Sequence, residues 1–172
     1  MWSARRDERR MIVVVMGVSG SGKTTIGTRL AEALRCDFLE GDSLHPPANV
    51  EKMSHGIPLT DADRAPWLAA ILARILAAIE HGQCLVVACS ALKQQYRDFL
   101  SQGTNIIWVY LKGTQEMIEP RIEHRYAHYM KAGMLPSQFA DLEEPKDALV
   151  ADISLPPEVI LQQLLAKLHA RS

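Results

Sequence analysis

The chain has no long hydrophobic run, no surplus of charge of either sign and few cysteines. Each shortage removes a class of protein. The most apolar helical stretch, Trp67 to Ile79, is interrupted by Arg74 and is too short to span a bilayer. With 19 Lys+Arg against 20 Asp+Glu, the formal net charge is -1. That gives no general electrostatic reason to bind nucleic acid or an anionic membrane, so neither is expected as a partner. Basic residues have to be read one at a time. The 3 cysteines, Cys36, Cys84 and Cys89, form no CxxC or Cys/His metal spacing, and their odd number speaks against a disulfide framework. Reduced thiols in a cytoplasmic protein are the expectation. Met1 to Arg10 is polar and Arg-rich and lacks the apolar segment of a signal peptide, which predicts a mobile extension and not a secretion signal. The chain contains no internal repeat and no low-complexity tract.

What is present suits one domain, residues 11–172, with a proper core: 172 residues, 48% of them apolar. Met11 to Met16 is a continuous Val-rich run, the pattern of a strand buried on both faces in a parallel sheet. Further strands are predicted at Asp37 to Glu40, Gln83 to Cys89, Asn105 to Leu111 and Ala148 to Ile153. Helices are predicted at Lys23 to Arg35 and around the stripe Leu68, Ile71, Leu72, Ile75, Leu76 and Ile79. A last helix, opened by Pro156-Pro157, ends near His169. Strands alternating with helices imply an α/β fold, a five-stranded parallel sheet with right-handed crossovers. Residues 45–63 and 124–144 fit the core pattern poorly and are candidates for a substrate cap and a lid at the carboxyl ends of the strands.

Between the first strand and first helix lies Gly17-Val18-Ser19-Gly20-Ser21-Gly22-Lys23-Thr24, which satisfies G-x-x-x-x-G-K-[ST] at every required position. The glycines let backbone N–H groups turn inward on an anion, and the helix start adds its positive end. Lys23 can reach the β- and γ-phosphates of a nucleotide, and the Thr24 hydroxyl can ligate Mg²⁺. Thr25 adjoins the motif and reads more as a helix residue than as a ligand. The loop alone is shared by GTPases and motor ATPases. The chain has neither the Asp-x-x-Gly nor the Asn/Thr-Lys-x-Asp element of a GTPase. Its strand ending Ala88-Cys89-Ser90 lacks the carboxylate an ATPase would place there, and the nearest strand-end carboxylate is Asp42. Phosphate transfer from ATP to a small molecule fits better than either.

Beyond the loop come Gly41-Asp42-Ser43-Leu44-His45-Pro46, Asn49, Lys52-Met53 and Gly56-Ile57-Pro58-Leu59. They are followed by Asp61, Asp63-Arg64, Pro66-Trp67-Leu68, Cys89-Ser90-Ala91-Leu92-Lys93, Tyr96-Arg97, Leu111-Lys112-Gly113 and Met134 to Phe139. In this order the series closely resembles the gluconokinases, small P-loop enzymes that make 6-phosphogluconate from D-gluconate and ATP. The likeness covers all but the N-terminal extension. It implies a nucleoside-monophosphate-kinase-like fold, Mg²⁺-ATP as donor, D-gluconate as acceptor and a homodimer. One departure stands at Tyr126-Ala127-His128-Tyr129, where the family reads x-Gly-His-Phe; Ala removes backbone freedom there.

Candidate roles follow from side-chain chemistry, each with a plainer alternative. Arg64 offers a bidentate clamp for a substrate carboxylate, or pairs at the surface with Asp61 and Asp63. Asp42 is placed to accept the attacking hydroxyl's proton or to hold the metal's water shell, or else caps a turn. His45 can hydrogen-bond a substrate hydroxyl or simply pack in its loop. Lys93 and Arg97, four apart on an expected helix, can reach substrate or the transferring phosphate, or form a solvated basic face. Arg121 and Arg125 share a helical face at the start of the expected lid, suited to stabilising charge on the transferring group; a pair of exposed arginines is the alternative. His124 and His128 lack the companions of a metal site. The competing functions are a related kinase acting on shikimate, a nucleotide or another sugar acid, and a non-catalytic nucleotide-binding regulator.

Overall fold

The computed structural model describes residues 10–123 and 134–171. Five strands form one parallel sheet: β1 (Ile12–Met16), β2 (Asp37–Glu40), β3 (Leu85–Ala88), β4 (Ile106–Lys112) and β5 (Leu149–Asp152). Their order is β2-β3-β1-β4-β5, which puts the Val-rich strand at the centre. Every residue of β1 is buried. Val13 and Val15 face one core cluster, while Ile12, Val14 and Met16 face the other. A two-residue side-chain period inside a sheet covered on both sides demands this unbroken apolar run.

The helices divide between the two faces. On one lie α1 (Lys23–Leu34), α5 (Gln115–Glu123), α6 (Leu135–Asp141) and α7 (Pro157–Arg171), which contribute Ile26, Leu30, Ile118, Ile122, Leu135, Ile160 and Leu164. On the other lie α3 (Asp61–Glu80) and α4 (Gln94–Leu100), with Trp67, Leu68, Ile71, Ile75, Tyr96 and Leu100. The short α2 (Pro47–Ser54) and a 3₁₀ turn at Gly41–Leu44 connect β2 to α3. Among the described residues, no helix is long and apolar enough to cross a membrane.

The stretch 45–63, expected as a substrate cap, holds α2 and the start of α3. A reciprocal capping box, in which the Thr60 side chain accepts from the Asp63 N–H and the Asp63 side chain accepts from the Thr60 N–H, starts α3 at Asp61. One expectation needs correction here: the three cysteines are not all free thiols. Cys36 and Cys84 form a disulfide with their Cα atoms 4.8 Å apart. Each stands one residue before the paired strand positions Asp37 and Leu85, so parallel pairing brings the two sulfurs together. Cys89 is free and buried, and burial pushes its thiol up to about 12.

Candidate active site

The cleft lies at the carboxyl ends of β1, β2 and β3, where ligands bind in open α/β sheets. The phosphate loop forms its floor. Gly20 and Gly22 have φ of 79° and 99°, conformations that L side chains rarely adopt. A Cβ on Gly20 would also press on Ile118 and Ile122 of α5. Gly22 caps α1 in the left-handed region with no side-chain cap bond. A twelve-residue helix therefore starts with no side chain bonded over its end, the arrangement that favours phosphate there. The Lys23 Nζ is turned onto the Gly17 and Val18 carbonyls at 3.1 and 3.0 Å, within the same concavity.

Sequence reasoning missed one residue of this corner. The Thr24 hydroxyl donates to the carboxylate of Glu40, the last residue of β2. Glu40 also accepts from the Asp42 N–H at 3.5 Å. A hydroxyl and a carboxylate set beside a phosphate loop are hard oxygen donors of the kind Mg²⁺ takes. The strand-end carboxylate sought after β3 stands instead on β2, its neighbour in the sheet. Register shows why: Glu40 pairs with Ala88, so it occupies the level at which a β3 carboxylate would sit.

The opposite wall comes from the 3₁₀ turn and α3. Asp42, His45 and Arg64 line the same cleft as Gly22, Lys23 and Thr24. Gly41 lets the turn pass tightly, because a Cβ there would run into the Ala88 carbonyl. The Trp67 indole N–H donates to the Gly41 carbonyl at 2.9 Å, and its ring stacks on His45 at 4.2 Å between centroids. Burial lowers the His45 pKa to about 4, so the ring is neutral at physiological pH. Its tautomer follows from Asn49. The Asn49 Nδ2 donates to the Asp63 carbonyl at 2.8 Å, which identifies it as the amide NH₂, and it also lies 3.2 Å from His45 Nδ1. Nδ1 must accept, so Nε2 carries the hydrogen.

Arg64 is held from two sides. It donates to the Tyr96 hydroxyl at 2.9 Å and to the Asp141 carboxylate at 3.1 Å. Asp61 is 3.9 Å away; Asp63 pairs instead with Lys52 at 2.8 Å. The Tyr96 hydroxyl in turn donates to Asp61, and that bond, with the Lys93 ammonium behind it, holds the Asp61 carboxyl down to about 2.

Other expected residues lie elsewhere. Lys93 is not on a helix with Arg97: its backbone is extended, α4 begins after it, and its ammonium pairs with Asp61 at 2.9 Å. Arg97 is not available to substrate. It is 2% exposed and its guanidinium donates to the carbonyls of Ala91, Leu92 and Glu143 and to the Gln94 amide oxygen. Those bonds hold Ala91 in its left-handed conformation, φ 43°. Arg121 donates to the Ile153 carbonyl at 2.9 Å and does not line the cleft. Thr25 lies on α1, outside the cleft lining; Val18 and Ser21 belong to the loop but are buried and do not line the cleft either. Arg125, His124 and His128 lie outside the described residues.

A family model described as an AAA domain matches residues 12–142. The chain is 46% identical over 162 residues to a gluconokinase of Gluconobacter oxydans, covering 92% of this chain and 91% of that protein. It is 44% identical over 155 residues to the thermoresistant gluconokinase of Escherichia coli, covering 87% and 89%. The crystal structure of a gluconokinase from Sinorhizobium meliloti superposes with a TM-score of 0.81 at 40% identity, over 95% of this chain and 98% of that one. With a phosphate loop facing an acidic, histidine and arginine wall across one cleft, and with likeness of this extent, the chain belongs to the gluconokinase family of P-loop kinases.

Proposed function

We propose that this protein transfers the γ-phosphate of ATP to a hydroxyl of D-gluconate, giving 6-phospho-D-gluconate. One observation carries the reading. A cleft whose floor is a phosphate loop has a wall bearing Asp42, His45 and Arg64, a set that answers a hydroxylated carboxylate. Arg64 binds the carboxylate, since a guanidinium fork matches two carboxylate oxygens. The neutral His45 donates from Nε2 to a sugar hydroxyl. Asp42 takes the proton of the attacking hydroxyl at its carboxylate and so keeps the oxygen nucleophilic as it meets phosphorus. Lys23 moves its ammonium from the Gly17 and Val18 carbonyls to the phosphate oxygens and offsets charge there. Thr24 and Glu40 would hold Mg²⁺, which when bound shields negative charge on the phosphates.

A cytoplasmic setting and a homodimer belong to the same proposal, supported by the resemblance. The Cys36–Cys84 pair withdraws one argument for a reducing compartment, namely that all three cysteines are thiols. In cytoplasm the glutathione pool would hold that pair largely reduced. An ATP-dependent assay that follows 6-phosphogluconate directly tests the activity, with shikimate, nucleosides and other aldonates as competing acceptors. Preference for any of these over gluconate overturns the acceptor, and ATP binding without transfer to any acceptor overturns the enzyme. Lys23→Ala is expected to lower turnover at least about 100-fold with the fold retained.

A further inference from the structure

One short helix touches both halves of the cleft. From α6, the Gln138 side-chain oxygen accepts from the Ser19 N–H of the phosphate loop at 2.6 Å. One turn later, Asp141 accepts from Arg64 at 3.1 Å. Residues three apart share a helix face, so a single face reaches the triphosphate floor and the carboxylate wall. Gln138 is 9% exposed, and this part-buried contact lies in the lining of the cleft. The far end of the helix is fastened. Leu142 N–H donates to the Gln138 carbonyl, Glu143 N–H to the Leu92 carbonyl at 2.8 Å, and the buried Arg97 to the Glu143 carbonyl at 2.6 Å. Arg97, set aside above as a substrate contact, is the bolt that fixes where α6 ends.

Both contacts use donors that the ligands need. Phosphate oxygens compete with Gln138 for the loop amide, and a substrate carboxylate competes with Asp141 for the Arg64 fork. Gln138 and Asp141 stand one turn apart on a helix of seven residues, so displacing the helix at one contact strains the other. The first ligand bears the cost of displacing α6 and the second finds it already met. We infer that α6 couples the two subsites, with Gln138 and Asp141 as positioning residues that make nucleotide and sugar-acid binding mutually reinforcing. The inference rests on the acceptor reading above.

Calorimetry on the full chain tests it, using a non-hydrolysable ATP analogue with Mg²⁺ and D-gluconate, each alone and in the presence of the other. In the native protein each ligand is expected to tighten the other by the same factor, about 5- to 50-fold, as linkage requires. Asp141→Asn should bring that factor towards one and tighten the analogue alone, although it touches no phosphate group. Gln138→Ala should do the same and tighten gluconate alone. If Asp141→Asn changes gluconate affinity but leaves the analogue and the coupling factor as in the native chain, the residue acts by local charge and the inference fails. The near-isosteric Asp141→Asn decides the matter even if Gln138→Ala does not fold. If the native chain binds the analogue but no gluconate, the acceptor assignment falls, and the coupling falls with it.

Discussion

At the scale of single residues, the cleft works through groups whose ionisation is set by their neighbours. His45 titrates at about 4, below its ordinary 6.5, because it is buried against Trp67. Between those two values the unfolded chain takes up a proton that the folded chain refuses. Stability therefore falls as pH drops from about 6.5 to about 4, and this contribution levels off below. His45→Gln is expected to flatten that part of a stability-against-pH curve; an unchanged slope would show the ring to be protonated in the fold. Arg64 is expected to govern acceptor affinity. Arg64→Ala removes a charge-assisted pair and should raise the KM for gluconate about 10- to 100-fold, with a much smaller effect on the KM for ATP. Equal rises in both would place Arg64 at the phosphates. The identity of Arg64 as a candidate was legible in the sequence, because planar cations suit carboxylates. Its partner Asp141 was not, since 77 residues separate the two.

At the scale of elements, β2 and the turn after it set the geometry of the acidic wall. β2 is a four-residue edge strand that delivers Glu40, Gly41 and Asp42 in succession. Gly41 sits so close to the Ala88 carbonyl that even a methyl group must push β2 away from β3. Gly41→Ala is expected to cost about 1–3 kcal/mol of stability by overpacking. It should also lower kcat more than 10-fold by moving Asp42 and Glu40; wild-type turnover with lowered stability would show that the wall tolerates the shift. The expected strands match the observed ones to within two residues, for example Gln83 to Cys89 against Leu85–Ala88, because buried parallel strands are written as local apolar runs. The start of α3 at Asp61 lies ahead of the apolar stripe that marks the helix in the sequence. Its first turn is polar, Thr60 to Arg64, and the capping box that nucleates it reads in sequence as part of a loop.

At the scale of the whole molecule, the disulfide ties the edge strand β2 to β3 at the end away from the cleft. Closing a loop of 48 residues stabilises chiefly by restricting the unfolded chain, by about 2–4 kcal/mol. Reduction is expected to lower Tm by roughly 5–15 °C. Cys36→Ser should melt with the reduced protein and show no further response to reductant. Identical melting of the native chain with and without dithiothreitol would mean that the bond does not form in solution. Reduced protein should retain its activity, because the pair lies at the opposite end of the strands from Lys23 and Asp42.

The sequence by itself determined the phosphate loop, the buried central strand and the parallel α/β class, since each is encoded in contiguous residues. It also carried the order of motifs that places the chain among the gluconokinases. Tertiary structure alone decided that Arg97 bolts a loop, that Cys36 meets Cys84, that Glu40 stands beside Thr24 and that Gln138 rests on Ser19. The physical reason is distance along the chain. Those partners lie 46, 48, 16 and 119 residues apart, and only sheet register and helix packing bring them within bonding reach.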